Sequence, residues 1–195
     1  MAERRGQCHD CVADNMYKDD GEILMIGTQH AKTMAAYNKW QNTSLYTAAE
    51  TLDDAARQLD RGSFFNSIHG TLNHILWGDR MWISRFAGAP KPAQPDFAGS
   101  VHEGGAWTDL TIARRAIDAE IIAWAAGLKE QTLAGDLSWF SGALQADVSK
   151  PMWFCVTHFF NHQTHHRGQV HTMLTAAGAK PDDTDLFIMP EGYMD

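Results

Sequence analysis

Histidine is the residue that carries chemistry in this chain. Ten histidines stand among 195 residues, and five of them fall between positions 158 and 171. Placed on a helical wheel with His162 at zero, His166 lies at about +40° and His158 at about −40°. Cys155, Phe159, Met173 and Ala177 share that arc, so this reading puts the three imidazoles in the middle of an apolar stripe. Buried imidazoles are costly unless something uses their nitrogens. Two of them at i, i+4 can meet one metal ion. A reactive site takes three protein ligands and leaves positions open, so a third imidazole must come from a neighbouring helix. His74 and His69 are the available ones. His165 falls about 60° off the centre of the stripe. The bland alternative for each histidine is a hydrogen-bonded core residue, and three on one face weaken it.

Other chemistries find little support. G-x-S-x-G is absent. So are H-E-x-x-H and the E-x-x-H pairs of di-iron bundles, which makes a mononuclear site the expectation. Cys8-His9-Asp10-Cys11 is a single C-x-x-C without a second pair, and a closed zinc site needs four ligands. It reads as a weakly reactive thiol pair rather than an accessory metal site. Three cysteines argue against a disulfide framework and for a cytoplasmic location. A net charge of −8 and a pI of about 5.6 oppose nucleic-acid binding. No run of eighteen apolar residues crosses a membrane, and the N-terminus lacks the apolar core of a signal peptide.

The elements that must position the histidines are helices. Residues 1–25 are polar and aperiodic and read as a loosely ordered arm; 26–195 read as the domain, with an irregular C-terminal tail. The spacing predicts a first helix from Thr28 to Leu59, whose stripe holds Asn38 and Gln41 among apolar residues. Those amides need partners in a cavity or on a neighbouring helix. A second helix over Phe65–Phe86, capped by Ser63 or Asn66, is apolar on both sides and must be buried on both. It is therefore central or forms a subunit interface. The stretch 87–106 is rich in Gly and Pro and reads as loop. A third helix is expected from Asp109 to Leu128, capped by Thr108 or Asp109, and a fourth from Pro151 to Ala177, closed by Gly178. Leu137–Phe140 suggests a short strand or hairpin arm. The architecture expected is all-α, a four-helix bundle with a long crossover loop between helices two and three.

The stretch His158-Phe-Phe-Asn-His162-Gln-Thr-His165-His166-Arg167-Gly168-Gln169 resembles the closing helix of the DinB family. Ser67-Ile-His69-Gly-Thr-Leu-Asn73-His74-Ile-Leu-Trp77-Gly-Asp79-Arg-Met-Trp82 resembles its second helix, and Ala36-Tyr37-Asn38-Lys39-Trp40-Gln41-Asn42 its first. Thr184-Asp185-Leu186 is similar to its tail. The likeness covers roughly residues 28–188. It implies a four-helix bundle holding one divalent ion per chain on His74, His162 and His166. Zn or Ni suits such ligands, with Mn or Fe compatible. His69 is the substitute should His74 fail. His165 often differs within the family, which argues against it as a ligand.

Around the ligands, His158 is expected beside the pocket, or in the core bonded to a backbone carbonyl or to Asn38. Asp79 is expected to cap or form a salt bridge rather than bond within the site. Arg167 is expected to pair with Asp185 or another acid rather than bind an anionic substrate. Trp77, Trp82, Phe159 and Met173 are wall candidates or plain core. Relatives of this type use low-molecular-weight thiols, which implies a thiol S-transferase, or a hydrolase, acting on a small molecule. A stress-induced metal or ligand binder without catalysis is the other reading. A homodimer is expected, because the second helix has apolar surface to spare.

Overall fold

The computed structural model describes residues 25–193. Most of the expected arm at 1–25, with Cys8 and Cys11, lies outside the described residues. The chain is mostly helical. Four long helices carry it: α1 (Thr28–Glu50), α3 (Ile68–Ala87), α4 (Trp107–Gly127) and α6 (Met152–Ala176). Two short helices, α2 (Asp54–Gln58) and α5 (Glu130–Ala134), stand between them. The long helices pack in a ring of neighbours, α1 against α4 and α6, and α3 against the same two. Leu45, Ile68, Leu72, Leu76, Ile121, Phe159 and Leu174 are buried in the core between them.

Several boundaries differ from the sequence reading, each for a local reason. The first helix does not reach Leu59. It stops at Glu50, and α2 restarts behind Asp53, whose carboxylate accepts the Ala56 N–H at 2.8 Å. Arg57 then reaches back, donating to the Ala49 carbonyl at 3.0 Å and to that of Leu52. Its guanidinium satisfies carbonyls that the end of α1 leaves open. The cap of α3 is Ser67, not Ser63 or Asn66: the Ser67 hydroxyl accepts the Gly70 N–H at 3.0 Å. Asn66 instead turns the chain at φ 63°. Neither Thr108 nor Asp109 caps α4. That helix begins at Trp107, which is buried against Tyr46 with ring centroids 5.4 Å apart.

The hairpin expected at Leu137–Phe140 is present: β1 (Asp136–Ser141) pairs antiparallel with β2 (Ala146–Pro151). It lies against the ends of α3 and α6, with Trp139 on Trp82 and the Arg85 guanidinium over both. The crossover after α3 is not bare loop. A 3-10 turn, Gly99–His102, packs along α3. It covers the side of α3 opposite the core and explains why that helix is apolar all round. Gly178, past the end of α6, takes φ 84°, the left-handed stop expected there.

Candidate metal centre

α3 brings His74, and α6 brings His162 and His166 one turn apart. The three offer ring nitrogens that all lie within 4.8 Å of one another. The Nε2 atoms of His74 and His162 are 3.2 Å apart. Without an ion the two share one proton as an N–H···N hydrogen bond, and a cation held by both would take its place. A tetrahedral ion with nitrogen ligands at about 2.0–2.1 Å asks for a separation of roughly 3.3 Å, which this pair meets.

The orientation of each ring is set from behind. The Ser100 hydroxyl, on the 3-10 turn, sits 2.9 Å from His74 Nδ1. His166 Nδ1 donates to Gln169 Oε1 at 2.8 Å, so its Nε2 keeps a free lone pair. Such outer partners settle the tautomer and aim the ligand nitrogen. His162 has no such partner, and its buried Nδ1 is unpaired. Its ring is placed by shape: a Cβ on Gly78 would come within 2.9 Å of His162 Cε1. Phe65 stacks on His74 with centroids 3.8 Å apart, and Phe97 meets it edge-on at 5.4 Å.

The electrostatics suit a metal. Burial pushes His74 down to about 3, with His166 adding repulsion. Burial does the same to His162, also to about 3, helped by the neighbouring imidazoles. His166 is lowered by burial and partly restored by Gln169. Metal ligation needs neutral imidazole, and this site keeps its imidazoles neutral at physiological pH.

The remaining site candidates separate clearly. His69 stands apart, its Nε2 2.9 Å from the Gly105 carbonyl oxygen. His158 is exposed and bonds neither a carbonyl nor Asn38; it packs on Trp82 at 5.1 Å and on His162 at 5.9 Å. The three-histidine stripe therefore needs correcting. The buried residues of α6, from Cys155 through Gln163 to Leu174, centre about 80° from His162, so His158 faces outward. His165 is exposed and touches Gln169 and the His166 ring.

Asn38, Asp79 and Arg167 belong to a different construction. Asp79 is fully buried and paired with Arg114 at 2.5 Å. Its other oxygen accepts from Gln163 at 2.7 Å. This is the salt bridge expected of Asp79. Arg167 does not pair with Asp185. It donates to Asn38 Oδ1 and lies over the Tyr37 ring. Asn38 also donates to Asp118 at 3.3 Å, so the amide in the first helix finds its partners on neighbouring helices. Gln41 finds its partner in the C-terminal tail, donating to the Asp183 carbonyl at 2.9 Å. Burial pulls Arg167 down to about 10. Trp77 flanks His74, Trp82 flanks His158, and Phe159 and Met173 are core. Cys155 is buried, a small apolar filler as expected.

Ser100, Gln169, Gly78, Phe65 and Phe97 were not foreseen as parts of the site. Gln169 could have been found, because it lies three residues after a ligand on the same helix. Ser100 gave no signal, since only the fold of the crossover brings it to α3.

The family model of the DinB family matches residues 27–192. The chain belongs to the DinB family. Comparison with curated proteins finds no match. DinB membership accounts for the mostly helical structure, and the family binds metal. The cluster of three close histidines can hold such an ion in this DinB chain. Among the described residues no helix is long and apolar enough to cross a membrane.

Proposed function

We propose that His74, His162 and His166 hold one divalent ion per chain, and that the protein is a metal-dependent enzyme acting on a small molecule. The 3.2 Å approach of His74 Nε2 to His162 Nε2 carries this reading. Zn or Ni fits three imidazoles best, with Mn or Fe compatible. The four long helices are taken as the bundle that frames the site. When bound, the ion lowers the pKa of a water or thiol that reaches it and supplies a nucleophile near neutral pH.

The chain's own residues do the rest. Ser100 and Gln169 aim their histidines, Gly78 leaves room for the third ring, and neutral ligands leave the full dipositive charge to act on the substrate. Phe65, Phe97 and Trp77 surround His74 and exclude water from one side. Phe97 and its neighbour Phe64 are exposed, offering an apolar rim to an incoming substrate. Thiol transfer from a low-molecular-weight thiol to an electrophile is the favoured chemistry, and hydrolysis the second. A cytoplasmic location and a homodimer go with this reading. Partly exposed Met81, Trp82 and Phe86 on α3, with exposed Phe140, Leu144 and Phe187, offer apolar surface to a second copy.

Metal analysis of the purified protein tests the centre. One ion per chain is expected, and its loss in His162→Ala. Retention of a tightly held ion in that variant overturns the assignment. A screen of thiols with electrophiles then separates an enzyme from a stress-induced binder, which would bind metal without turnover. Light scattering at tens of micromolar reads the dimer.

A further inference from the structure

Three arginines are buried among the described residues, and two of them lie against acids. Arg57, 7% exposed, meets Asp54 at 2.6 Å. Arg114, 2% exposed, meets Asp79 at 2.5 Å and Asp118 at 2.9 Å. Arg167, 5% exposed, bonds no carboxylate among the described residues. Its Nη1 donates to Asn38 Oδ1 and its Nη2 to Thr164 Oγ1 at 3.1 Å, both neutral oxygens. Its Nε bonds nothing, and unlike the Nε of Arg114 it is not sealed from solvent. A buried guanidinium normally lies against an anion, because taking its charge out of water is costly. Arg167 borders a cavity of about 270 Å³ between α1 and α6. It stands about 140° around α6 from His162, so this cavity is separate from the histidines. α1 contributes Tyr37 and Gln41 to the wall, and α6 contributes Gly168 and His171. The tail borders it at Thr184, whose carbonyl accepts the Tyr37 hydroxyl at 2.7 Å.

We propose that this cavity binds a small organic monocarboxylate, whose charged end pairs with Arg167. One carboxylate oxygen accepts from Arg167 Nε–H. Gln41 and His171, bordering the same space, bring N–H groups to the other. The volume falls just below the ~300 Å³ at which drug-sized sites begin, which limits the ligand to a few carbons or a single ring. The Tyr37 ring, 5.5 Å from the Arg167 guanidinium, supplies an apolar wall for that body. A dianion is disfavoured. Asp79 and Asp118 are near enough to act on Arg167, and Asp185 on Tyr37, so a second negative charge meets repulsion with no second cation to offset it. A neutral ligand leaves the guanidinium without its counter-charge.

The test titrates the full chain with acetate, butyrate and benzoate at constant ionic strength in chloride, using ligand-observed NMR. The primary amide of each acid serves as its neutral counterpart, and inorganic phosphate as the dianion. At least one carboxylate is expected to bind, about ten-fold more tightly than its own amide and than phosphate, the scale of one charge-assisted hydrogen bond. Arg167→Gln should weaken it by about ten-fold or more. Arg167 also holds Asn38, so a second variant leaves it in place. Gly168 is exposed, and a Cβ there meets nothing, so Gly168→Phe lays a ring over the cavity and should abolish binding. His162→Ala should bind the carboxylate as the native chain does, which separates this site from a carboxylate on the metal centre. Absence of binding by all three carboxylates overturns the proposal. So does an amide or phosphate binding equally well, survival of binding in Arg167→Gln or Gly168→Phe, or its loss in His162→Ala.

Discussion

Two constructions run side by side along the same pair of helices. On α6, His162 and His166 are one i, i+4 pair; Gln163 and Arg167, one residue later, are another. On α3, His74 joins the first set and Asp79 the second. The second set is tied together: Asp79, Gln163, Arg114, Asp118, Asn38 and Arg167 bond one another across all four long helices. The first set instead turns ring nitrogens toward one common point, all within 4.8 Å of one another. A shift of about 100° around a helix thus separates polar groups that hold the fold from polar groups that could hold an ion. Buried polarity by itself does not mark a candidate site; the convergence of ligand atoms does.

This contrast can be broken by comparing one member from each set. Asp79→Ala should cost about 3–5 kcal/mol of stability, because it strands Arg114 as an uncompensated buried charge. His162→Ala should change the unfolding free energy of the metal-free protein by less than about 1 kcal/mol, since its ring makes a single neutral contact, to His74 Nε2, and strands no charge. Urea unfolding of both variants reads the difference, and equal losses would erase the distinction.

Smaller changes sharpen it. Ser100→Ala keeps all three ligands but frees the His74 ring, and should weaken metal binding about 10–100-fold in a competitive chelator titration. Gly78→Ala forces His162 aside and should weaken it by about ten-fold, the low end of what misaligning a ligand costs. An affinity unchanged in Gly78→Ala would mean that the ring has another way to sit.

The smallest effect is on pH dependence. His74 and His162 are held at about 3 in the folded chain against an ordinary 6.5. Between those values the unfolded chain binds more protons, so the metal-free protein loses stability as pH falls from 6.5 toward 3. Above 6.5 these two groups contribute no slope. His162→Ala should flatten the acid limb, measured by unfolding midpoints across that range.

Much of the site was legible before any fold was known. Two histidines one turn apart on an apolar helix announce a shared face, and the resemblance to DinB proteins supplied the third on the second helix. His158 misled the wheel, because the core direction of α6 depends on which helices flank it. A periodic pattern fixes spacing, not the centre of burial. The buried ion network was half visible: Asn38 stood out as an amide in an apolar stripe and Asp79 as a salt-bridge candidate, but nothing in the spacing of the third helix singled out Arg114 or Asp118.

Helix identity and the i, i+4 histidine pair follow from local spacing, since a helical turn brings such residues together whatever surrounds them. The convergence of His74 on that pair, the Ser100 hydroxyl behind it and the room left by Gly78 were decided by tertiary packing. Each joins residues more than twenty positions apart in the chain or depends on how one helix lies against another, and no local periodicity encodes that approach.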